Sequence, residues 1–156
     1  MYPADIQDEI VADEGKVLSV YLCPAGHKTC GVGHLVLPSD PEHELRVGAR
    51  ITEDRCSQLF SLDLEITLVE CERLLSLASP IRSPRNFSSY PIEVQKIIAN
   101  MMFNLGRPRL SKFRKFLAAI EAEDWATAAD EMGDSLWARQ LPKRSGRLID
   151  RMRAVS

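Results

Sequence analysis

The sequence predicts an α+β fold in which a small N-terminal lobe with a β-hairpin is joined by a long helix to a larger, all-helical C-terminal lobe. A Gly-rich, strand-like stretch at residues 16–36 predicts the hairpin. Residues 52–77 contain no helix breaker and predict a helix long enough to connect two lobes. Most residues after this helix follow helical spacing. With 156 residues, the chain has the length of one domain with two such lobes.

The first elements are a short helix and a strand. The helix is indicated by apolar residues at helical spacing, namely Ile6, Ile10 and Val11. Gly15 follows, and glycine commonly ends helices. The next stretch, Lys16–Leu22, is rich in Val, Leu and Tyr, which favour strands. We therefore expect the chain to pass from helix to strand at Gly15.

A hairpin turn is predicted at Cys23–Gly26. Proline in its second position and glycine in its fourth are typical of a type I turn. Residues 27–36 alternate loosely and are predicted as the second strand of the hairpin. Gly31 and Gly33 lie inside this strand, where glycine often marks a close approach of the backbone to a ligand or a neighbouring residue.

The long helix is predicted to begin at Thr52, which is a good N-cap followed by two acidic residues that suit the helix dipole. Residues 37–50 before it have the composition of a loop. The helix runs to about Leu77, and its apolar residues are spread over more than one face, as expected for a helix between two lobes. A second loop is predicted at residues 79–91.

The rest of the chain predicts the helical lobe. Its centre is a helix whose apolar residues cover almost every face, with the repeating positions Val94, Ile97, Ile98, Met101, Met102 and Leu105. Further helices are predicted at Ser111–Ala122, Trp125–Met132, Ser135–Arg139 and Lys143–Arg153. The predicted lobe bounds are residues 14–60 for the hairpin lobe, and 73–156 together with 1–13 for the helical lobe.

Composition and charge exclude several classes of protein. With 45% hydrophobic and 27% charged residues, the chain is neither disordered nor fibrous. Its net charge of −2 argues against a general nucleic-acid binder. The charge is uneven, because residues 1–106 carry −6 and residues 107–156 carry +4. No transmembrane run or secretory signal is visible. Four cysteines without a CxxC pair predict free, mostly buried thiols.

One group of residues, distributed along the chain, contains the candidate catalytic residues. Glu14-Gly15 ends the first helix beside the hairpin, and this places a carboxylate at the mouth of a cleft. By itself, such a pair is more typical of a plain helix end. Matching residues follow in order, namely Tyr21, Gly26–Leu35, Ile51-Thr52, Ala99–Gly106, Phe113, Trp125, Trp137 and Gln140–Arg144. The whole arrangement resembles the phage-type lysozymes of glycoside hydrolase family twenty-four over nearly the whole chain, apart from a shortened loop after Leu35.

This resemblance implies cleavage of the β-1,4 bond between N-acetylmuramic acid and N-acetylglucosamine in peptidoglycan. Such a reaction needs an acid that protonates the leaving glycosidic oxygen, and Glu14 matches the family's acid. In an inverting enzyme a second group activates water on the opposite face of the sugar. In the family that group is an Asp at the position of Cys23, and a Thr matched by Thr29 helps to hold the water. No metal or cofactor is implied.

Position 23 departs from the family pattern. A thiol with its usual pKa of about 8.5 is mostly neutral at pH 7, although a nearby cation such as Lys28, or the positive charge that develops in the reaction, would favour the thiolate. Three roles are open for Cys23: a thiolate base or nucleophile, a tolerated replacement beside Glu14 and a water held by Thr29, or a residue of an inactive enzyme whose fold is kept for glycan binding. The alternative to all three is an inert residue of the turn. The retained Glu14 and Thr29 favour an enzyme.

Two arginines of the last predicted helix match arginines that support the family's site. The resemblance implies that Arg144 pairs with Glu14 and that Arg147 pairs with Asp13. A cation near a carboxyl group lowers its pKa, so such a pair would orient the acid at the expense of its acidity. The alternative is that both arginines belong to the solvated face of a basic helix.

The resemblance also implies a structural partner and a set of cleft residues. His34 matches a hairpin histidine that pairs with an Asp on the long helix, here Asp63, and this implies a structural ion pair and not a catalytic base. The matched substrate-binding residues are Leu35, Phe103, Asn104 and Gln140. Phe116 and Glu131 stand where the family's T-even member has Ser and Asn, which implies altered saccharide contacts. Trp125 and Trp137 are most simply core residues.

As a whole, the resemblance implies a phage endolysin. We expect a monomeric muramidase that is present in the host cytoplasm and acts on the cell wall in the periplasm, with a separate holin-type pore protein for its release. Peptidoglycan is the expected partner, and neither nucleic acid nor membrane insertion is expected. Because the polymer is acidic, the +4 segment is expected to help hold it. The alternative is a catalytically weak or silent glycan-binding module with a lysozyme fold.

Overall fold

The computed structural model describes residues 4–77 and 86–155 and has the predicted α+β architecture. It combines many helices with one three-stranded antiparallel sheet near the N-terminus. Contacts within the chain divide it into two compact units, which we call unit 1 (Met1–Ile66) and unit 2 (Thr67–Ser156). The predicted grouping of residues 1–13 with the helical lobe differs from this division and stays a prediction.

Unit 1 begins with α1 (Ala4–Glu14), which ends directly before Gly15 as predicted. Gly15 has a φ of +78°, which glycine adopts at little cost, and its N–H donates to the carbonyl of Val11 at 2.8 Å. Ile6 and Ile10 are fully buried and form the core face of the helix. The chain then enters β1 (Val17–Leu22).

The stretch that we predicted as one second strand contains two strands. β2 (Lys28–Gly31) pairs with β1, and β3 (His34–Leu35) pairs with β2, both antiparallel. The chain reverses between them because Gly31 and Gly33 have φ of +63° and +62°, a region that residues with side chains rarely adopt. A loose alternation of residue types does not reveal this reversal.

The long helix of the prediction is α2 (Glu53–Leu77). It is reached through a loop that contains a 3₁₀ turn at Pro41–Glu44. Its predicted N-cap is present, since the Thr52 hydroxyl accepts a hydrogen bond from the N–H of Arg55 at 3.0 Å. The buried apolar residues of unit 1 lie on α1, in the sheet region and on α2, namely Ile6, Ile10, Val20, Cys30, Val32, Ile51, Cys56, Leu59, Phe60 and Leu64.

In the described part of unit 2, the helices after α2 are α3 (Ile92–Leu105), α4 (Arg107–Leu110), α5 (Arg114–Glu121), α6 (Trp125–Gly133), α7 (Leu136–Gln140) and α8 (Pro142–Arg153). As predicted, α3 is buried on nearly every face. The helix predicted from Ser111 begins later, at Arg114, and the short helix α4 was not predicted. Of the predicted loop at residues 79–91, residues 79–85 lie outside the described residues. Within the described residues, no helix is both long and apolar enough to span a membrane.

Candidate active site

The carboxylate of Glu14 lies against the hairpin. Glu14 is the half-buried last residue of α1, and a Cβ atom at Gly33 would stand 3.2 Å from its Oε2. Gly33 thus avoids a tight contact and also supplies the positive φ of the turn. The close approach predicted for the two glycines is present at both, since a Cβ at Gly31 would lie 3.3 Å from Cys56 Sγ. The turn is therefore shaped to leave room for the Glu14 carboxylate.

Three polar side chains share one face of the hairpin. Tyr21 pairs with Thr29 across β1 and β2, and Cys23 follows Tyr21 by two residues, so the pleat directs all three to the same side. Thr29 is buried, and its hydroxyl lies 3.0 Å from the carbonyl of His27. The same hydroxyl makes a hydrogen bond with the Cys23 thiol. With a single proton, it donates to one of these two acceptors at a time.

The turn surrounds the sulfur of Cys23 with hydrogen-bond donors. The N–H of His27 has the largest effect and lowers the pKa of the thiol below its ordinary value. The N–H groups of Ala25 and Gly26 and the Thr29 hydroxyl act in the same direction, while partial burial opposes them. The other three cysteines are buried, and all four are free thiols, as predicted. Cys23 therefore combines partial access to solvent with a thiol pKa below its ordinary value.

The cation that we expected beside Cys23 does not act there. The ammonium of Lys28 donates to the backbone carbonyls of His43 at 3.0 Å and Leu45 at 2.6 Å. Neighbouring residues of a strand point to opposite faces, so Lys28 and Thr29 face opposite sides of β2. The expectation that Lys28 favours the thiolate is wrong, because backbone N–H groups and Thr29 supply that stabilisation.

Tyr21 belongs to this cluster, although the sequence analysis did not count it among the site residues. Burial raises the pKa of its phenol, and the nearby ionisable groups of Cys23, Cys30 and Glu14 act in the same direction. The phenol therefore stays protonated and is a hydrogen-bond donor at the site. The sequence held a signal for this role, since a hairpin closed at Cys23–Gly26 places position 21 opposite position 29.

His34 is buried and held between two carboxylates. Its Nδ1 lies 2.7 Å from Asp63 Oδ2, which is the contact implied by the resemblance, and its Nε2 lies 2.7 Å from Asp40 Oδ2. The hydrogen bond with Asp63 raises the pKa of His34 to about 9; the bond with Asp40 adds to this, and burial opposes it. Both nitrogens of the imidazolium are occupied, so the ring has no site to accept a proton from a substrate.

Further charged groups hold the loop before α2. Asp40 accepts the N–H of Leu37 at 2.8 Å in addition to its bond with His34. Glu42 is buried and accepts three hydrogen bonds from the Arg55 guanidinium, at 2.9, 3.2 and 2.7 Å. Neither Asp40 nor Glu42 was predicted, because their partners lie far along the chain or on the opposite side of a turn.

This cluster predicts a loss of stability at alkaline pH. The folded-state pKa of His34 lies above its unfolded value of about 6.5, so its stabilisation is complete below that pH and is lost as the pH rises through about 9. The shift corresponds to about 3 kcal/mol of unfolding free energy. We expect urea unfolding at pH 6 and 9.5 to show this loss in the wild type and little of it in His34→Asn. Equal losses in both proteins would contradict the assignment.

Most of the predicted substrate-binding residues lie in unit 2. Phe103 and Asn104 are half-buried near the end of α3, and Gln140 is exposed at the end of α7. Asn104 Oδ1 accepts a hydrogen bond from Trp137 Nε1 at 2.9 Å, which leaves its amide NH₂ to donate to a ligand. Trp137 is only 4% exposed and is a core residue, whereas Leu35 in unit 1 is 51% exposed. Their roles in substrate binding stay predictions.

The two arginines that were predicted to pair with Glu14 and Asp13 both lie on α8. Arg144 is buried within unit 2, where its Nε donates to Asn100 Oδ1 at 2.8 Å and a second guanidinium nitrogen lies 3.3 Å from the Asn100 carbonyl. This contact was not predicted. Arg147 is exposed on α8, and Asp13 is half-buried on α1. The pairs of Glu14 with Arg144 and of Asp13 with Arg147 stay predictions.

The family of the chain follows from sequence comparison. Residues 11–154 match the family model described as phage lysozyme. The chain belongs to the phage lysozyme family. It is 28% identical to probable T4-type lysozyme 2 and 29% identical to probable T4-type lysozyme 1, both from Dictyostelium discoideum, over 94% of this chain and 92% of each relative. It is also 28% identical to the pre-baseplate central spike protein Gp5 of Enterobacteria phage T4, over 87% of this chain and 25% of that protein.

Membership confirms the resemblance noted in the sequence and implies a lysozyme-type glycosidase that acts on peptidoglycan. The candidate site for this chemistry in unit 1 is the cluster of Glu14, Tyr21, Cys23 and Thr29. Within residues 4–77 and 86–155, no group of three or more His, Cys, Asp or Glu side chains is arranged to hold a metal ion.

Proposed function

We propose that this protein is an endolysin that hydrolyses the β-1,4 bond between N-acetylmuramic acid and N-acetylglucosamine in peptidoglycan and so lyses the bacterial host. The observation that supports this best is the carboxylate of Glu14, held against Gly33 and close to Tyr21, which also lies near the thiol of Cys23, in a chain of the lysozyme family. Glycosidases need two such groups, one on each side of the scissile bond.

In the proposed reaction, Glu14 donates its proton to the glycosidic oxygen as the bond to the anomeric carbon breaks. A water molecule attacks that carbon from the opposite face, and the Cys23 thiolate accepts the proton that the water loses. The product has inverted configuration, and proton exchange with solvent returns both groups to their starting states. The Thr29 hydroxyl orients the water or the sulfur, and the Tyr21 phenol serves as a neutral donor beside them.

The donors around Cys23 support its role as the base. A thiolate that accepts several N–H and O–H hydrogen bonds is stabilised as the anion, and a carboxylate at the same position would be stabilised by the same donors. A covalent route through attack of the sulfur on the anomeric carbon uses the same thiolate but yields retained configuration. The two routes therefore differ in the anomer that they release.

The replacement of the family's Asp by Cys23 also favours a second candidate function. In that case the protein binds the glycan chain without cleaving it, and the exposed residues Leu35 and Gln140 contact sugars. The two functions differ in whether the glycosidic bond is broken, so a binding assay and a cleavage assay distinguish them.

The test is digestion of purified peptidoglycan by the wild-type protein. We expect new reducing ends, and borohydride reduction of the products is expected to convert N-acetylmuramic acid and not N-acetylglucosamine. Reduced N-acetylglucosamine as the main product would assign a different bond. Co-sedimentation with the polymer in the absence of new reducing ends would support the glycan-binding module, and the absence of both would contradict both functions.

The cellular setting is part of the proposal. We place the protein as a monomer in the host cytoplasm until a separate holin-type pore protein admits it to the periplasm, where the polymer lies. The +4 charge of residues 107–156 supports attraction to an acidic wall.

A further inference from the structure

One face of α2 carries large apolar side chains that are exposed to solvent. They are Leu62, Ile66 and Val69, which are 53%, 59% and 50% exposed and which we call the α2 stripe. Their spacing of four and then three residues places them on one side of the helix. Phe60 and Leu64 are buried on the opposite side. The helix is therefore apolar on two sides, and only one of them is buried.

The connection of two lobes does not account for the α2 stripe. Apolar residues on more than one face were expected from that role, but these three side chains reach solvent. Single exposed aliphatic residues are ordinary, whereas a contiguous apolar surface is typical of an interaction site. The surface beside the stripe is an open hollow of about 630 Å³, lined by Asp54, Arg55, Ser57, Gln58, Ser61 and Leu62 of the same helix.

Two carboxylates on this side of α2 are not paired. The helix contains six acidic residues. Four of them interact with other residues, namely Glu53, Asp63, Glu70 and Glu72. The other two, Asp54 and Glu65, are exposed and make no hydrogen bond or ion pair with any residue in the ranges 4–77 and 86–155. Asp54 lines the hollow, and Glu65 lies three residues after Leu62, so both carboxylates border the apolar surface.

The cations of α2 are already bound and do not neutralise these two carboxylates. Arg55 donates to Glu42, and Arg73 donates to Glu70 Oε1 at 3.3 Å. A symmetric contact between two copies of the chain uses the same surface twice, so it would bring no unpaired cation of α2 to the carboxylates. An anionic lipid surface would repel them. The charge of this surface therefore requires a partner that supplies cations.

We propose that the α2 stripe binds a cationic amphipathic helix of another protein. The apolar face of that helix covers Leu62, Ile66 and Val69, and the Lys or Arg residues beside it meet Asp54 and Glu65. Amphipathic helices bind apolar surfaces through residues spaced three or four positions apart, and charges at the rim select the partner. None of the candidate catalytic residues takes part in this contact.

The test is fluorescence anisotropy of a labelled peptide titrated with the full chain. The peptide forms about four helical turns, with Leu on one face and Lys on the other. We expect saturable binding that weakens as salt is added, since part of the attraction is between charges. The same peptide with Glu in place of Lys is expected to bind at least about tenfold more weakly, because like charges then meet. No peptidoglycan is present, so the result does not depend on glycosidase activity.

Two double variants assign the binding to this surface. Leu62→Gln with Ile66→Gln is expected to weaken binding of the Lys peptide by about tenfold or more, because two apolar contacts are lost. Asp54→Asn with Glu65→Gln is expected to weaken it by about threefold and to reduce its dependence on salt, because the charge attraction is removed.

Two single variants are the matched controls. Ile92→Gln replaces a similarly exposed aliphatic residue on α3, and Asp8→Asn removes an unpaired, exposed carboxylate of α1 within the described chain. Both should bind the Lys peptide as the wild type does. All variants should unfold close to the wild-type temperature, because substitutions at exposed positions have small effects on stability.

The proposal would be overturned by the absence of saturable binding of the Lys peptide, by equal binding of the Lys and Glu peptides, or by unchanged binding in Leu62→Gln with Ile66→Gln. Sedimentation without peptide tests the two other occupants. Self-association that this double variant abolishes would make the α2 stripe a contact between copies of the chain. Binding to phosphatidylglycerol vesicles that it abolishes would make the stripe a lipid-binding surface. Either result would replace the proposed partner.

Discussion

Glu14→Gln is expected to lower the rate of peptidoglycan hydrolysis by about 10²–10⁴-fold, which is the usual contribution of general acid catalysis. The amide has nearly the shape of the carboxyl group and still fits against Gly33, but it has no acidic proton to give to the glycosidic oxygen. The rate is measured as reducing ends released per minute from purified peptidoglycan. The unfolding temperature should stay close to that of the wild type.

Asp8→Asn is the matched control for this variant. Asp8 is exposed on the same helix, and its side chain makes no hydrogen bond or ion pair with other residues in the described part of the chain. The control removes the same charge from α1 and should keep wild-type activity. If Glu14→Gln retained more than about a tenth of the wild-type rate, Glu14 would not be the general acid.

Cys23→Ala is expected to lower kcat by about 10²-fold, because it removes the base while leaving Glu14 in place. Cys23→Asp is expected to recover most of that loss. The N–H groups of Ala25, Gly26 and His27, together with Thr29, surround the side chain at position 23 and stabilise a carboxylate as they stabilise a thiolate. Full activity in Cys23→Ala would show that Cys23 is only a tolerated replacement and that Thr29 alone holds the attacking water.

The pH profile and alkylation distinguish a base from a bystander. A thiolate base gives a rate that rises with pH through the thiol pKa, and in Cys23→Asp this rise should move several units lower, because a carboxyl group ionises near pH 4. Iodoacetamide should inactivate the wild type and leave Cys23→Asp active, since the other three cysteines are buried. Release of the inverted anomer would then favour water attack over attack by sulfur.

Local rules located most of the elements correctly. Gly15 ends α1 through its positive φ, Thr52 caps the start of α2, and the apolar residues of α3 repeat at helical spacing. Each of these signals acts over only a few residues of the chain. The prediction failed at the second strand, where Gly31 and Gly33 turn the chain back and produce β2 and β3. Glycine at these positions is compatible with a strand that closely approaches a neighbouring residue and also with a reversal of the chain. The residue pattern does not distinguish these two structures.

The catalytic candidates show a different limit. Glu14, Cys23 and Thr29 were found by matching the order of residues to a family, and this order does not state what each atom contacts. The Lys28 ammonium is bound to the carbonyls of His43 and Leu45, and it is the N–H groups of the turn that favour the thiolate. Almost every residue carries a backbone N–H, so no sequence pattern shows which of these groups will stabilise the sulfur.

Sequence alone specified the family, the α+β class and the unusual cysteine at position 23, because each depends on residue identity and short-range spacing. The folded chain was needed to bring Asp40 and Asp63 to the two nitrogens of His34 and to place the carboxylate of Glu14 on Gly33. The contacts of His34 with Asp63 and of Glu14 with Gly33 join residues well separated in the chain, and the contact of His34 with Asp40 depends on the course of a loop, so these distances are fixed only when the helices, strands and loops pack.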